Sequence, residues 1–235
     1  MNPTARRWAR RAGAAAAATA LFVGVVGFAH TPNGRFLLGY LPGAGACPVG
    51  VASPAQVDRA RAVGLARVRG QERATARPAL GFTLDVTARD DVSTWASRHG
   101  VTCSAASAMT LACRDVPATA LPGAIHAADE VQLTFDSRGR LVGAEAMRRG
   151  LDSQQAIALV DARIEDARKA SGGTVQRTGA TDGAHLVGGA ARRAEGELRF
   201  VDYRVVITAM NQGGARPVVR ERYQAIAPEA DGSGS

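Results

Sequence analysis

Two cysteines, Cys103 and Cys113, carry the most specific chemistry in this chain of 235 residues. They flank a short segment that reads as a hairpin, so an oxidising compartment would pair them as a disulfide. Closing a loop of this size is worth roughly 2–3 kcal/mol in the loop-entropy model. The third cysteine, Cys47, is then left over, either free or paired with another chain. No CxxC redox or zinc motif occurs.

The four histidines, His30, His99, His126 and His185, are scattered. None forms the HxH, HxxxH or HExxH spacing that brings two imidazoles onto one metal, so neither a metal nor a cofactor is expected. His126 with Asp129 and Glu130 is the densest cluster and reads as a solvated loop. His99 lies near Cys103, as a nucleophile and its base would. However, a cationic residue just before Gly100 is what a helix C-terminus favours by itself. No G-x-S-x-G elbow occurs, and Gly188-Gly189 and Gly213-Gly214 lack the Lys and Ser/Thr of a phosphate loop. No catalytic residue is assigned.

The arginines are more suggestive. Arg216, Arg220 and Arg222 are even numbers apart and share one face if the segment is a strand. Arg204 or Arg199, on the preceding strand, would join them. Such a row of guanidinium groups suits phosphate or carboxylate ligands. Arginine on an open strand face also serves simply to suppress edge association. Arg204, Arg216, Arg220 and Arg222 are therefore the candidate anion-binding face.

These residues need elements to hold them. Ser53 and Pro54 open a helix that runs toward Gly70, with Val57, Ala60, Gly64, Leu65 and Val68 on one face. Leu80 to Val86 alternates as a strand. Thr87 caps a second helix, with Val92, Trp95 and Ala96 facing inward and Gly100 as its stop. Strands are expected at 101–105, 109–115 and 130–135, with a turn at 136–139 and a partner strand at 140–147. Asp152 or Ser153 caps a third helix with Gln155 in the capping box, and Ser171-Gly172-Gly173 ends it. A weak strand spans 174–178, and 181–195 reads as a loop. Leu198 to Met210 is the longest strand signal, and Arg216 to Ile226 follows as its hairpin partner.

Helix followed by antiparallel strands thus occurs twice, in units of about 80–147 and 151–227. The expected fold is α+β, with helices packed on one or two small antiparallel sheets. This order is similar in outline to small envelope modules of the outer-membrane assembly lipoprotein and β-lactamase-inhibitor type. Their Gly-x-Thr helix-start motif does not align here, and no family is claimed.

The N-terminus supplies the address. Arg6, Arg7, Arg10 and Arg11 precede residues 12–29, which carry no charge. Eighteen helical residues reach roughly 27 Å, close to the thickness of a bilayer core. Arginines on one side only place the N-terminus in the cytoplasm. Residues 1–30 are read as a signal-anchor of the inner membrane, single pass, with 31–52 as linker, 53–227 as a periplasmic domain and 228–235 as a disordered tail. The alternative is cleavage after Ala29, at Gly27-Phe28-Ala29, releasing a periplasmic or secreted domain.

The net charge of +8 then divides. Residues 1–29 account for four of those charges, and the remainder carries 25 basic against 21 acidic groups. That mild excess in an exported domain argues against nucleic acid as a partner. The leading expectation is a non-enzymatic envelope protein that contacts a protein partner. The alternatives are an enzyme whose site is assembled from distant residues, and a binder of anionic lipid or envelope polymer.

Overall fold

A computed structural model describes residues 28, 53–179, 183–189, 192–213 and 216–227. The chain divides at Ser53 and Pro54 into two units, and the fold that follows is that of the second. The expected apolar span, apart from Phe28, and also Cys47 and the tail lie outside the described residues.

The elements run in this order: α1 (Pro54–Ala66), β1 (Pro78–Ala79), β2 (Phe82–Thr83), α2 (Arg89–His99), β3 (Thr102–Ser107), β4 (Thr110–Val116), β5 (Ala128–Phe135), β6 (Leu141–Arg148), α3 (Ser153–Ser171), β7 (Gln176–Gly179), α4 (Gly183–Val187), β8 (Arg193–Arg199), β9 (Tyr203–Met210) and β10 (Val218–Ala225). The fold is α+β. Eight strands form one antiparallel sheet in the order β3-β4-β5-β6-β10-β9-β8-β7. Each half is a helix followed by a four-stranded meander. The last strands of the two halves, β6 and β10, meet at the centre, so the order reverses across that seam.

Period-2 alternation sorts the two faces. Along β9, Tyr203, Val205, Ile207 and Ala209 are buried, while Arg204, Val206, Thr208 and Met210 are half-buried on the other side. The inner face packs against α3, which presents Ala156, Ile157, Val160, Ile164 and Ala167 at helical spacing. Asp152 caps α3: its carboxylate accepts from the Gln155 amide at 2.8 Å, and the Gln155 side chain returns to the Asp152 amide at 3.0 Å. In the first half α2 buries Val92, Trp95 and Ala96. Trp95 meets Phe82 edge-on and donates to the Ala120 carbonyl at 3.0 Å.

Five expectations are corrected. The segment Leu80 to Val86 is not one strand. Leu80 and Gly81 take positive φ, folding it into the short β1–β2 hairpin, and Asp85 turns it again. The run from Leu198 to Met210 is a hairpin, not a single strand. Its turn lies at Phe200–Asp202, closed by the Phe200 amide on the Tyr203 carbonyl at 2.8 Å, and it contains neither Gly nor Pro to mark it. The loop expected at 181–195 contains α4 and the start of β8. Helix α1 buries only Leu65, while Val57 and Val63 are exposed. Arg61 on the same helix donates to the Val142 carbonyl at 3.0 Å. The cap of α2 is also shifted by one residue: Asp91 accepts from the Ala88 amide at 2.8 Å, whereas the Thr87 hydroxyl accepts from the Thr83 amide.

Candidate functional site: the open face of the sheet

Cys103 and Cys113 face each other across β3 and β4 and are joined as a disulfide. Cys103 therefore offers no thiol to His99, whose ring lies instead 6.0 Å from that of Trp95. The His126, Asp129, Glu130 cluster splits between the two faces. His126 and Asp129 line an open groove of about 430 Å³ with Asp115 and Arg149. The Asp129 carboxylate there accepts from the Arg149 amide at 2.5 Å. Glu130 points to the other side, where it accepts from Gln132. Among the described residues no three His, Cys, Asp or Glu side chains are grouped to hold a metal.

Helices α2 and α3 pack on the inner face of the sheet. The outer face carries three of the four predicted arginines. Arg204, Arg220 and Arg222 stand together on β9 and β10, as their spacing predicts. Arg216 does not join them: it precedes β10 and donates to the Gly150 carbonyl at 2.7 Å.

The register places carboxylates among these guanidinium groups. Glu145 on β6 lies opposite Arg222 across the seam. It accepts from Arg220 through both oxygens, one of them at 2.8 Å, and from Arg222 at 3.2 Å. Glu197 on β8 accepts from Arg199 and Arg204, each at 2.7 Å. Each carboxylate thus serves two guanidinium groups and leaves one positive charge uncompensated. Burial would raise the Glu197 carboxyl, but the hydrogen bonds from Arg199 and Arg204 outweigh it and hold the group below the usual carboxylate range. Glu195 accepts from the Thr208 hydroxyl at 3.0 Å, and Arg193 comes no nearer to it than 3.9 Å.

Between these sets lies a hollow of about 370 Å³. Half-buried Met147, Val206, Met210 and Val218 give it an apolar lining, and Arg193, Arg204, Arg220 and Arg222 surround them. Glu145, Glu197 and the two methionines were not singled out from the sequence. Alternation along each strand marks which of them share a face. That β6 lies beside β10 is a long-range pairing with no local signal.

The inner face holds a second charged set. Glu221 is fully buried and binds Arg148 from β6 and Arg163 from α3, the latter at 3.1 Å, and accepts from the Tyr223 hydroxyl at 2.7 Å. Burial would lower the Arg163 guanidinium, yet Glu221 more than compensates and raises it. Burial, then the charge of Glu221, pushes the Tyr223 phenol well up. The alternation of Ala144, Ala146 and Arg148 marks Arg148 as inward-facing.

Comparison with protein-family models, with curated proteins and with solved structures finds no match.

Proposed function

We propose that this chain is a bacterial envelope protein, anchored in the inner membrane through residues 12–29, whose periplasmic α+β domain is a non-enzymatic interaction module. The contact surface is the open face of the sheet. The observation that carries the reading is the asymmetry of that sheet among the described residues: α2 and α3 pack on one face, and the other carries an apolar hollow among arginines. A monomer that needed only a core would gain nothing from recessed Met and Val on its solvent side. Among the described residues no helix is long and apolar enough to cross a membrane, so the anchor rests on the sequence alone.

Fractionation and N-terminal mass spectrometry test the address. The chain should pellet with inner membranes, resist alkaline extraction, keep Arg6–Ala29, and become protease-sensitive only when the periplasm is opened. A soluble cytoplasmic chain would overturn the address. Hydrolysis of an envelope substrate that is abolished by changing one His or Asp would overturn the non-enzymatic role.

A further inference from the structure

We infer that the partner of the open face is a protein segment carrying Asp and Glu around one apolar side chain, and that this side chain seats in the hollow lined by Met147, Val206, Met210 and Val218. This rests on the interaction-module reading above.

Size comes first. Seven strand intervals at about 4.8 Å and eight-residue central strands at about 3.3 Å per residue give a face of roughly 34 by 26 Å. That is close to the approximately 800 Å² that each partner contributes to a standard protein interface. Charge decides among occupants. Arg193, Arg204, Arg220 and Arg222 line the hollow against one lining carboxylate, Glu195, and with Arg199, Glu145, Glu197 and Glu130, which stands opposite Met147, the set keeps a surplus of one positive charge. A second copy would bring the same surplus and be repelled, whereas carboxylates would be attracted. Arg199, Arg204, Arg220 and Arg222 are each already oriented by a Glu, so little of their side-chain entropy is lost when a second carboxylate is accepted.

Shape separates a protein from a membrane. The apolar side chains are recessed and half-buried, while Arg193 and Arg220 are exposed. A bilayer surface meets protruding apolar groups, but a recess of about 370 Å³ suits a single anchoring side chain in the manner of a hot spot. Methionine in the lining adapts to the shape of that anchor.

The test uses the full chain in membranes of the organism that makes it. A photoreactive benzophenone side chain replaces Gln212, which is exposed and lines the hollow. A control replaces Lys169, exposed on α3. The expected result is a protein adduct from position 212 whose cross-linked segment is rich in Asp and Glu. Arg220→Glu with Arg222→Glu should reduce that adduct about tenfold or more, the effect of losing roughly 1.4 kcal/mol of binding. Arg193→Glu alone should also weaken it, and this variant breaks no ion pair closer than 3.9 Å, so its fold is retained. Raising salt from about 0.05 M to about 0.5 M should weaken it further. A lipid adduct, a second copy of this chain, a segment without carboxylates, or an adduct indifferent to both variants would overturn the inference while leaving an interaction module in place. An adduct from position 169 alone would do the same. No adduct from either position would overturn the interaction-module reading as well.

Discussion

Arg148 on β6 and Glu221 on β10 form an ion pair inside the core, their side chains 1% and 0% exposed, across the seam that joins the two halves of the sheet. On the opposite face of the same two strands, Glu145 holds Arg220 and Arg222. Charged residues thus cross this seam on both sides with the polarity inverted: acid on β10 within, acid on β6 without. A slip of one residue would reverse the faces and bury Arg220 and Arg222 against α3. The pairing specifies register where two otherwise independent meanders meet.

Removing the buried acid should therefore be severe. Glu221→Gln leaves Arg148 and Arg163 inside without a counter-charge and is expected to cost about 3–5 kcal/mol. Replacing all three, with Arg148→Met, Arg163→Leu and Glu221→Leu, should be nearly neutral or stabilising, because no charge remains to desolvate. Urea unfolding followed by Trp95 fluorescence measures both. A Glu221→Gln protein as stable as the parent would show that the cluster is hydrated, not buried.

The pH response should have an acid limb from Glu197. Its carboxyl is held below its unfolded value by Arg199 and Arg204. The unfolded group titrates near pH 4.3, so this stabilisation is present above that pH and is lost as pH falls through the lower, folded value. Stability of the parent should drop on acidification more steeply than that of Glu197→Gln, and the difference should level off once pH is below the folded value. Denaturant midpoints between pH 2.5 and pH 7 decide it. Parallel curves would mean that the two guanidinium groups leave the acid unperturbed.

The disulfide should act locally. Cys103 sits on β3, an edge strand whose residues are largely exposed, and Cys113 is buried beside it on β4. Cys103→Ala with Cys113→Ala is expected to cost about 2–3 kcal/mol in the loop-entropy model. The loss should appear first as faster amide exchange in residues 102–107, since an edge strand has only one ladder to hold it. Exchange measured by mass spectrometry should leave β9 and β10 protected. Uniform loss across all strands would instead show that β3 nucleates the sheet.

How much of this was legible depended on whether the signal was local. Gly100, the Asp152–Gln155 box and the alternation of β5 and β10 are local, and each lies at or within a residue or two of the expected place. The disulfide was legible because its hairpin is local too. The β8–β9 turn was hidden because Val201 and Tyr203 keep strand-forming character straight through it. Helix α1 misled because its apolar spacing is not matched by burial: Leu65 alone is covered. The sharing of Glu145 by two arginines required knowing that β6 and β10 are neighbours, residues 75 and 77 positions apart in the chain. Even spacing put Arg220 and Arg222 on one face and the hairpin brought Arg204 beside them, whereas the parity failed for Arg216 only because the strand begins after it.

The last prediction concerns what holds α3 against that sheet. Gly196 on β8 lies beneath Ile164, and a Cβ placed there would come within 2.9 Å of Ile164 Cγ1 and 3.2 Å of its Cβ. Ile164 is fully buried and adjoins Arg163, which carries α3 to Glu221. Gly196→Ala should therefore push the helix outward and cost about 1–3 kcal/mol through overpacking. Ile164→Ala alone should cost about 2–5 kcal/mol by opening a cavity. Together they should be less damaging than the sum, because the smaller side chain at 164 makes room for the new methyl group. A double-mutant cycle by urea unfolding should give a favourable coupling of about 1 kcal/mol or more. Strict additivity would mean that the helix does not approach the sheet at this glycine, and that Arg163 reaches Glu221 from a different helix position.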